Sequence, residues 1–447
     1  MNSFKRFYIV NMPKLKNRIF TVHLGCSKNQ VDAECLVTEF LHQGFTAVES
    51  AEEADYILIN TCGFIEPAKE EAIDTILYHL DSRKDGQKII VTGCLSKRYG
   101  EDLKKELPEV DFWAGTYKPG ELLKSMGLLE ESVDSYPMRL NLSGIEHHAY
   151  LKIAEGCDRQ CAYCAIPGIR GRQVSRSIAD IVKEAKALEK SGVQELTLIA
   201  QDTTYYGHEK NAPGSFLIDL LKALLKETNI PWIRTLYWYP AFIDDELLEL
   251  IASEKRLCKY IDLPIQHASD KVLKSMCRRY SKDELRKMLL NIREKIPGVT
   301  LRTTVLVGFP GETEEDFEDL MALLEEIRFE HLGGFVYSPE EGTVAEKLRL
   351  PAVSEETARQ RLSLVTELQE EISLEKNEAL IGKEISVILD EVADESEFHF
   401  YGRSEGNSLD VDDIVRVVEG DGSVGTIRRA LVIDAGPHEL DVKLLPE

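Results

Sequence analysis

The stretch AYLKIAEGCDRQCAYC, residues 149–164, is a short β-type run that leads directly into three cysteines spaced CxxxCxxC. Cys157, Cys161 and Cys164 on one loop can hold three irons of a cubane iron–sulfur cluster and leave the fourth iron open. The competing use of such thiolates is structural zinc, which wants four closed ligands, and no fourth Cys or His stands near this loop. Buried thiols without a metal would have no need of this spacing.

Reading outward toward the C-terminus, five more β-type runs follow: QELTLIA (194–200), WIRTLYW (232–238), KYIDLPI (259–265), VTLRTTVLVGF (299–309) and LGGFVYS (332–338). Helix-forming stretches such as SIADIVKEAKALEKSG (177–192) separate them. Six strand–helix units rather than eight predict a partial (βα)6 barrel, whose site belongs at the carboxyl ends of the strands. Gln201, Asp202, Tyr239, Gln266, His267, Gly308 and Ser338 are expected there, and Arg302 at or near a strand end. In GFPGETEED (308–316), Thr313 and Asp316 have the spacing of a capping box at a strand-to-helix turn. Arg170, Arg172 and Arg176 follow the cysteine run, and solvated charge on a turn is the expected state of at least two of them. A long helix-forming segment, 354–380, leads out of the barrel.

Reading toward the N-terminus, RIFTVHL (18–24), ADYILIN (54–60) and QKIIVT (87–92) alternate with helical stretches, from about Gln30 to Gln43 and from about Pro67 to Leu80. This period reads as a βαβ unit with a parallel sheet. Each strand runs into a cysteine: Cys26, Cys62 and Cys94, separated by 36 and 32 residues. Open α/β sheets build their sites at carboxyl ends, so three distant thiols meet at one edge and suit a second cluster with one open iron. Of the nine cysteines, Cys35 falls within a helical pattern, while Cys258 and Cys277 lack partners at ligand spacing.

The last 70 or so residues consist of short β-type runs separated by Gly, Asp and Asn, predicting a small all-β barrel. The expected organisation is an N-terminal extension (1–17), an N-terminal α/β domain (18–125), a linker (126–143), the partial barrel (144–375) and the β-barrel (376–447).

At 447 residues the chain can bury several cores, and 30% charged with 43% apolar residues is globular composition. The net charge of −24 disfavours phosphate backbones at long range. No run approaches the ~20 apolar residues of a membrane span. Lys, Arg, Asn and Pro interrupt the N-terminus before a signal-peptide core can form, so a cytoplasmic location is expected. From Lys376 onward, 7 basic residues face 17 acidic ones. That balance suits a basic protein partner better than a nucleic acid, with Asp410, Asp412 and Asp413 as a candidate docking cluster.

CxxxCxxC after the first strand of a partial barrel resembles the radical S-adenosylmethionine superfamily. With the three-cysteine N-terminal domain and a C-terminal segment similar to a TRAM domain, nearly the whole chain resembles the methylthiotransferases. LGCSKN (24–29), QDTTYYG (201–207), PIQHASDKVL (264–273) and LRTTVLVGFPGETEEDF (301–317) resemble the branch that modifies an aspartate of the small-subunit ribosomal protein S-twelve. The sister branch, which acts on transfer RNA, typically carries GCQMN and QNVNSYG instead.

The resemblance implies two [4Fe-4S] clusters, S-adenosyl-L-methionine and a low-potential electron donor. It implies that Cys157, Cys161 and Cys164 are catalytic and hold the radical cluster, and that Cys26, Cys62 and Cys94 hold the auxiliary one. Tyr163 matches an aromatic that commonly lies near the adenine; Gln201, Asp202 and Arg302 are candidate cofactor contacts. One cofactor molecule would methylate sulfur held at the N-terminal cluster. A second would be cleaved reductively, its radical taking a hydrogen from the aspartate β-carbon before the methylthio group is captured. The alternatives are the transfer-RNA activity and a non-catalytic iron–sulfur or electron-transfer module.

Overall fold

The computed structural model describes residues 17–130, 139, 141, 144–210 and 216–446. Residues 1–16 of the expected extension, and part of the expected linker, lie outside the described residues. The chain divides into two compact units, one drawn from residues up to 140 apart from 64–66, the other from 141 onward.

The first unit is a parallel sheet in the order β2-β1-β3-β4-β5, with β1 Arg18–His23, β2 Thr46–Ala47, β3 Tyr56–Thr61, β4 Lys88–Gly93 and β5 Phe112–Trp113. Helices α1 (Ser27–His42), α2 (Glu66–Ser82), α3 (Cys94–Glu106) and α4 (Glu121–Ser125) alternate with the strands. Ile57, Leu58, Ile59, Ile89, Ile90 and Val91 are all buried. Burial of successive residues, on both faces, is the mark of a covered parallel sheet and explains why these strands read as continuous apolar runs.

In the second unit, β6 (His148–Lys152) leads through β7 (Ala154–Glu155) into a loop that carries α5 (Ile166–Arg170) and returns in β8 (Val174–Ser175). Then come α6 (Ile178–Lys190), β9 (Glu195–Ile199), α7 (Leu217–Glu227), β10 (Trp232–Thr235), α8 (Asp245–Ser253), β11 (Tyr260–Asp262), α9 (Asp270–Ser275), α10 (Lys282–Lys295), β12 (Thr300–Val307), α11 (Glu314–Ile327) and β13 (His331–Val336). The six main strands are parallel and lie in chain order, β6-β9-β10 in one sheet and β11-β12-β13 in a second. Between the sheets, β10 meets β11's approach through Ile233, whose N–H donates to the Arg256 carbonyl and whose carbonyl accepts from Cys258. The predicted runs 232–238 and 259–265 stop early as strands. Tyr237, just past β10, takes left-handed backbone at φ 61°, and beyond β11 the pairing with β12 returns as a single bridge from Gln266, at φ 69°, to Val305. Thr313 and Asp316 form the expected reciprocal cap of α11.

Helix α12 (Glu355–Glu378), capped by Ser354, packs on β13 and leads to β14 (Glu384–Val392), β15 (Phe400–Ser404), β16 (Ile414–Glu419), β17 (Ile427–Ala435) and β18 (Glu439–Leu444). These five strands close into a barrel, β14-β15-β16-β18-β17, around Val387, Leu389, Val415, Val417, Val432 and Val442. Closure removes the exposed edges such short strands would otherwise present.

The closed barrel seats on the amino ends of the parallel strands. Glu195, the first residue of β9, accepts from Arg234 Nε at 2.8 Å and from Arg403 Nη1 of β15 at 2.5 Å. Asp412 accepts from Tyr260 Oη at 2.5 Å and from Arg302 Nε at 3.1 Å. His331 Nε2 donates to the Gly406 carbonyl at 2.8 Å, while its other ring nitrogen lies 3.4 Å from Asp413. This corrects the reading of Asp412 and Asp413 as parts of a docking cluster, while Asp410 is exposed. The Asp412 side chain is 1% exposed and Asp413 is paired with two histidines, His331 and His438. Among the described residues no helix is long and apolar enough to cross a membrane.

Candidate metal centres

The loop that carries Cys157, Cys161 and Cys164 is tied at its base by the antiparallel pairs Ala154↔Ser175 and Glu155↔Val174. Cys157 N–H donates to the Gly171 carbonyl at 3.0 Å and Cys164 N–H to the Cys161 carbonyl at 3.1 Å. The middle of the loop is anchored from two sides: Ala162 N–H donates to Met276 and its carbonyl accepts from Ala345 N–H, at 2.9 and 2.7 Å.

All three sulfurs have donors nearby, the backbone N–H of Ile166 serving Cys164. Arg159 N–H lies 3.4 Å from Cys157 Sγ, and Arg278 Nη1 lies 3.5 Å from Cys161 Sγ and 3.4 Å from Tyr163 Oη. Both guanidinium groups stack on the ring of Tyr239, at 4.1 and 4.3 Å from its centroid. Burial pushes the Cys157 and Cys164 thiols up to about 12, and each neighbouring cysteine adds to the rise. Left as bare thiols they stay protonated; a cationic cluster is what makes three thiolates tolerable together. Among the described residues no group of three His, Cys, Asp or Glu converges as ligands of one metal ion. A cubane gives each thiolate its own iron and so holds its ligands further apart than one zinc does. The donor set fits a cluster.

Asp202 and Gln201 follow the carboxyl end of β9, as expected. Asp202 is committed to protein partners: it accepts from Arg159 Nε at 2.6 Å, from Thr204 Oγ1 at 2.7 Å and from Tyr205 N–H at 3.1 Å. Gln201 is different, since both polar atoms of its side-chain amide are buried without a hydrogen-bond partner among the described residues, as is Nη2 of Arg159. Arg302 is not brought to this edge. It is the third residue of β12, near the amino end, and its guanidinium is taken by Asp262 and Asp412 at 3.1 Å each. His267 is buried, its Nδ1 accepting from Ser269 N–H at 3.0 Å.

Two of the three arginines after the cysteines also depart from expectation. Arg170 and Arg176 are buried, paired with Glu155 and with Asp180 and Glu184; Arg172 is exposed but paired with Asp158. Arg170 and Arg176 brace the loop, while Arg172 rides in solvent.

In the first unit, β1, β3 and β4 are adjacent and in register, His23 opposite Asn60 and Thr61 opposite Gly93, so their carboxyl ends align. Cys26 caps α1, Cys62 follows β3 and Cys94 opens α3. Asn29 ties two of these ends together, its amide donating to the carbonyls of Leu24 and Thr61 at 3.0 Å each. Thr61 Oγ1 continues the tie to Thr92 O at 2.6 Å. A Cβ on Gly25 would stand 3.2 Å from that of Cys62, and one on Gly63 would stand 2.6 Å from the backbone of Leu95. The Cys62 turn thus lies against the Cys26 turn and against the Cys94 turn, and none of the nine cysteines is in a disulfide. Cys26, Cys62 and Cys94 are the residues that would hold a metal group at this edge. Cys35 and Cys258 are buried and Cys277 is exposed.

Asn29 and Arg278 were not singled out as site residues in the sequence. Asn29 lies within the quoted LGCSKN, a signal that was available. Arg278 is 117 residues from the sulfur it approaches, and nothing local announces it.

Residues 151–324 match the radical SAM superfamily, and residues 18–115 match the uncharacterized protein family UPF0004. The chain is 43% identical over 440 residues to the ribosomal protein uS12 methylthiotransferase RimO of Myxococcus xanthus, covering 96% of this chain and 91% of that one. Against RimO of Aquifex aeolicus it is 43% identical over 424 residues, covering 95% and 96%. Against RimO of Geobacter sulfurreducens it is 41% identical over 448 residues, covering 96% and 99%. Among solved structures, the radical S-adenosylmethionine methyltransferase TsrM from Kitasatospora setae shares the fold at a TM-score of 0.54 and 14% identity, over 71% of this chain and 72% of that one. The cobalamin-dependent radical enzyme OxsB does so at 0.52 and 12%, over 79% and 56%. Full-length identity above 40%, with both three-cysteine constellations inside the matched segments, means that this chain belongs to the RimO family of radical SAM methylthiotransferases.

Proposed function

We propose that the protein transfers a methylthio group to the β-carbon of an aspartate in ribosomal protein S-twelve, acting in the cytoplasm on the free protein or the small ribosomal subunit. The observation that carries this reading is the thiol trio closed into one loop at the carboxyl end of the first barrel strand, in a chain matched over 96% of its length by a uS12 methylthiotransferase. Cys157, Cys161 and Cys164 would hold the radical cluster, and Cys26, Cys62 and Cys94 an auxiliary one. The domains doing this are 18–125, 144–375 and the TRAM-like 376–447.

With S-adenosyl-L-methionine and electrons from a low-potential donor, the bound clusters would supply a hydrogen-abstracting radical and a sulfur carrier. The chain's own residues position and shield. Asp202 fixes Arg159 beside Cys157. Gln201 offers an amide with no partner among the described residues, suited to a polar cofactor group. Tyr163, between Cys161 and Cys164, is half-buried against the cluster of Ala162, Met276 and Phe309, which leaves part of its ring for an adenine to pack on. Arg302, committed at the far end of its strand, serves the seat of the C-terminal barrel.

Anaerobically purified protein, reduced in the presence of S-adenosyl-L-methionine, tests the reading. Iron, sulfide and 5′-deoxyadenosine are expected. A colourless protein without iron or sulfide after reconstitution would overturn it.

A further inference from the structure

Arg278 is the most heavily engaged side chain at the cysteine loop. It is buried, and every nitrogen of its guanidinium meets a partner at the site. Nε donates to Tyr280 Oη at 2.6 Å, Nη2 to the Pro264 carbonyl at 2.6 Å, and Nη1 lies 3.5 Å from Cys161 Sγ and 3.4 Å from Tyr163 Oη. No carboxylate is among these partners, so the full positive charge is directed at the thiol and its aromatic neighbours. Its flat faces stack on Tyr239 and Tyr280, at 4.3 and 5.2 Å.

The backbone around it is also specialised. Cys277, directly before it, takes left-handed backbone at φ 59°, a cost for a side-chain-bearing residue that persists only where surroundings hold it. Met276 accepts the Ala162 N–H of the cysteine loop, and Arg278 N–H donates back to Leu273 at 2.8 Å. One strained turn therefore fixes both the loop backbone and the cation that approaches its middle sulfur.

We propose that Arg278 is a positioning residue that holds Cys161 for the cluster and, through its uncompensated charge at that sulfur, raises the cluster's reduction potential toward that of its electron donor. The proposal rests on the reading of Cys157, Cys161 and Cys164 as cluster ligands. Hydrogen bonds and net charge at ligating sulfurs set the potentials of such clusters. A cation beside a thiolate stabilises the reduced, more negative state, so its loss makes reduction harder. A guanidinium alone offers the planar fork that reaches Tyr280, Pro264 and the sulfur at once.

The test compares full-length wild type with Arg278→Met, which fills a buried site without charge, and Arg278→Lys, which keeps the charge without the fork. Each is reconstituted anaerobically, analysed for iron and sulfide, and titrated with a low-potential dye while the reduced cluster is followed by electron paramagnetic resonance. With the auxiliary cysteines replaced in all three, only one cluster is read. The expected result is a tenfold or greater loss of the reduced fraction at fixed potential in Arg278→Met, ~59 mV for a one-electron couple, with most of it restored in Arg278→Lys. Loss of iron in Arg278→Met but not in Arg278→Lys would uphold the same role through retention of the ligand. Wild-type iron and wild-type potential in both variants, or equal loss of iron in both, would overturn the proposal. If wild type itself takes up no iron or sulfide, the cluster reading fails instead, and the two failures are separately visible.

Discussion

Replacing Glu195 by Gln tests the seat of the C-terminal barrel. The carboxylate is fully buried between two guanidinium groups, Arg234 on β10 and Arg403 on β15. Arg403 also holds Asp390 through a two-pronged contact at 2.8 and 3.0 Å, and Arg234 reaches the Glu405 carbonyl at 2.9 Å. An amide in place of Glu195 turns an N–H2 toward a guanidinium and removes the charge that two buried cations share. Breaking one member of a buried ion cluster costs about 3–5 kcal/mol, because the remaining charges stay buried. For a unit of this size, whose unfolding entropy is ~2.1 cal/mol/K per residue, that is roughly 5–8 °C of melting temperature. Burial pushes the Glu195 carboxyl up, but Arg403 and Arg234 outweigh it and hold it below the ordinary carboxylate value. A lowered pKa gives stability that is fully present above the unfolded value and lost only as pH falls through the folded one. Calorimetry at pH 7 therefore reads the whole effect, and limited proteolysis between α12 and β14 reports whether the barrel is released. A variant that melts within ~1 °C of wild type, against the several degrees expected from such a loss, would refute the reasoning.

Alanine at Cys157, Cys161 or Cys164 should abolish deoxyadenosine formation and leave about four irons per chain, the content of one remaining cubane. Alanine at Cys26, Cys62 or Cys94 should leave reductive cleavage largely intact while eliminating methylthio transfer, both read by product analysis. Gly93→Ala places a Cβ 2.3 Å from the Thr61 carbonyl oxygen at a φ of 102°, between the strand ends that carry Cys62 and Cys94. Strain and overpacking there should cost about 2–6 kcal/mol, seen as a lowered thermal transition and depleted iron. Burial pulls His331 down, but Asp412 and Asp413 outweigh it and raise its pKa to about 9. Its contribution is complete below the unfolded value near ~6.5 and is lost as pH rises through about 9. The melting temperature should fall across that window in wild type, and His331→Gln should flatten the fall.

The parallel strands and their terminal cysteines were legible because both signals are local: an apolar run marks a covered strand, and the residue after it lands at the carboxyl edge. Two-residue β7 and β8 escaped notice because no periodicity exists in so short a run, although they close the cysteine loop. Arg302 was misplaced for a related reason. The run VTLRTTVLVGF marks a strand without saying where along it a polar side chain finds its partner, and that partner, Asp412, is 110 residues away. The acidic count beyond Lys376 is a true sum, but it cannot tell a solvated carboxylate from Asp412, buried against Tyr260 and Arg302. Arg170 and Arg176 show the same blindness in reverse, since charge on an apparent turn turned out to be internal bracing. Long-range ion pairs are the part of a fold that composition and period leave unread.

The central claim is tested most directly by incubating the reconstituted protein with S-adenosyl-L-methionine, a reductant and purified S-twelve, with purified transfer RNA in a parallel reaction, and weighing both. The account predicts that S-twelve alone gains the mass of one methylthio group in place of a hydrogen, localised to an aspartate. Modification of the RNA instead, or an unmodified S-twelve when both clusters are loaded and deoxyadenosine is formed, would contradict it.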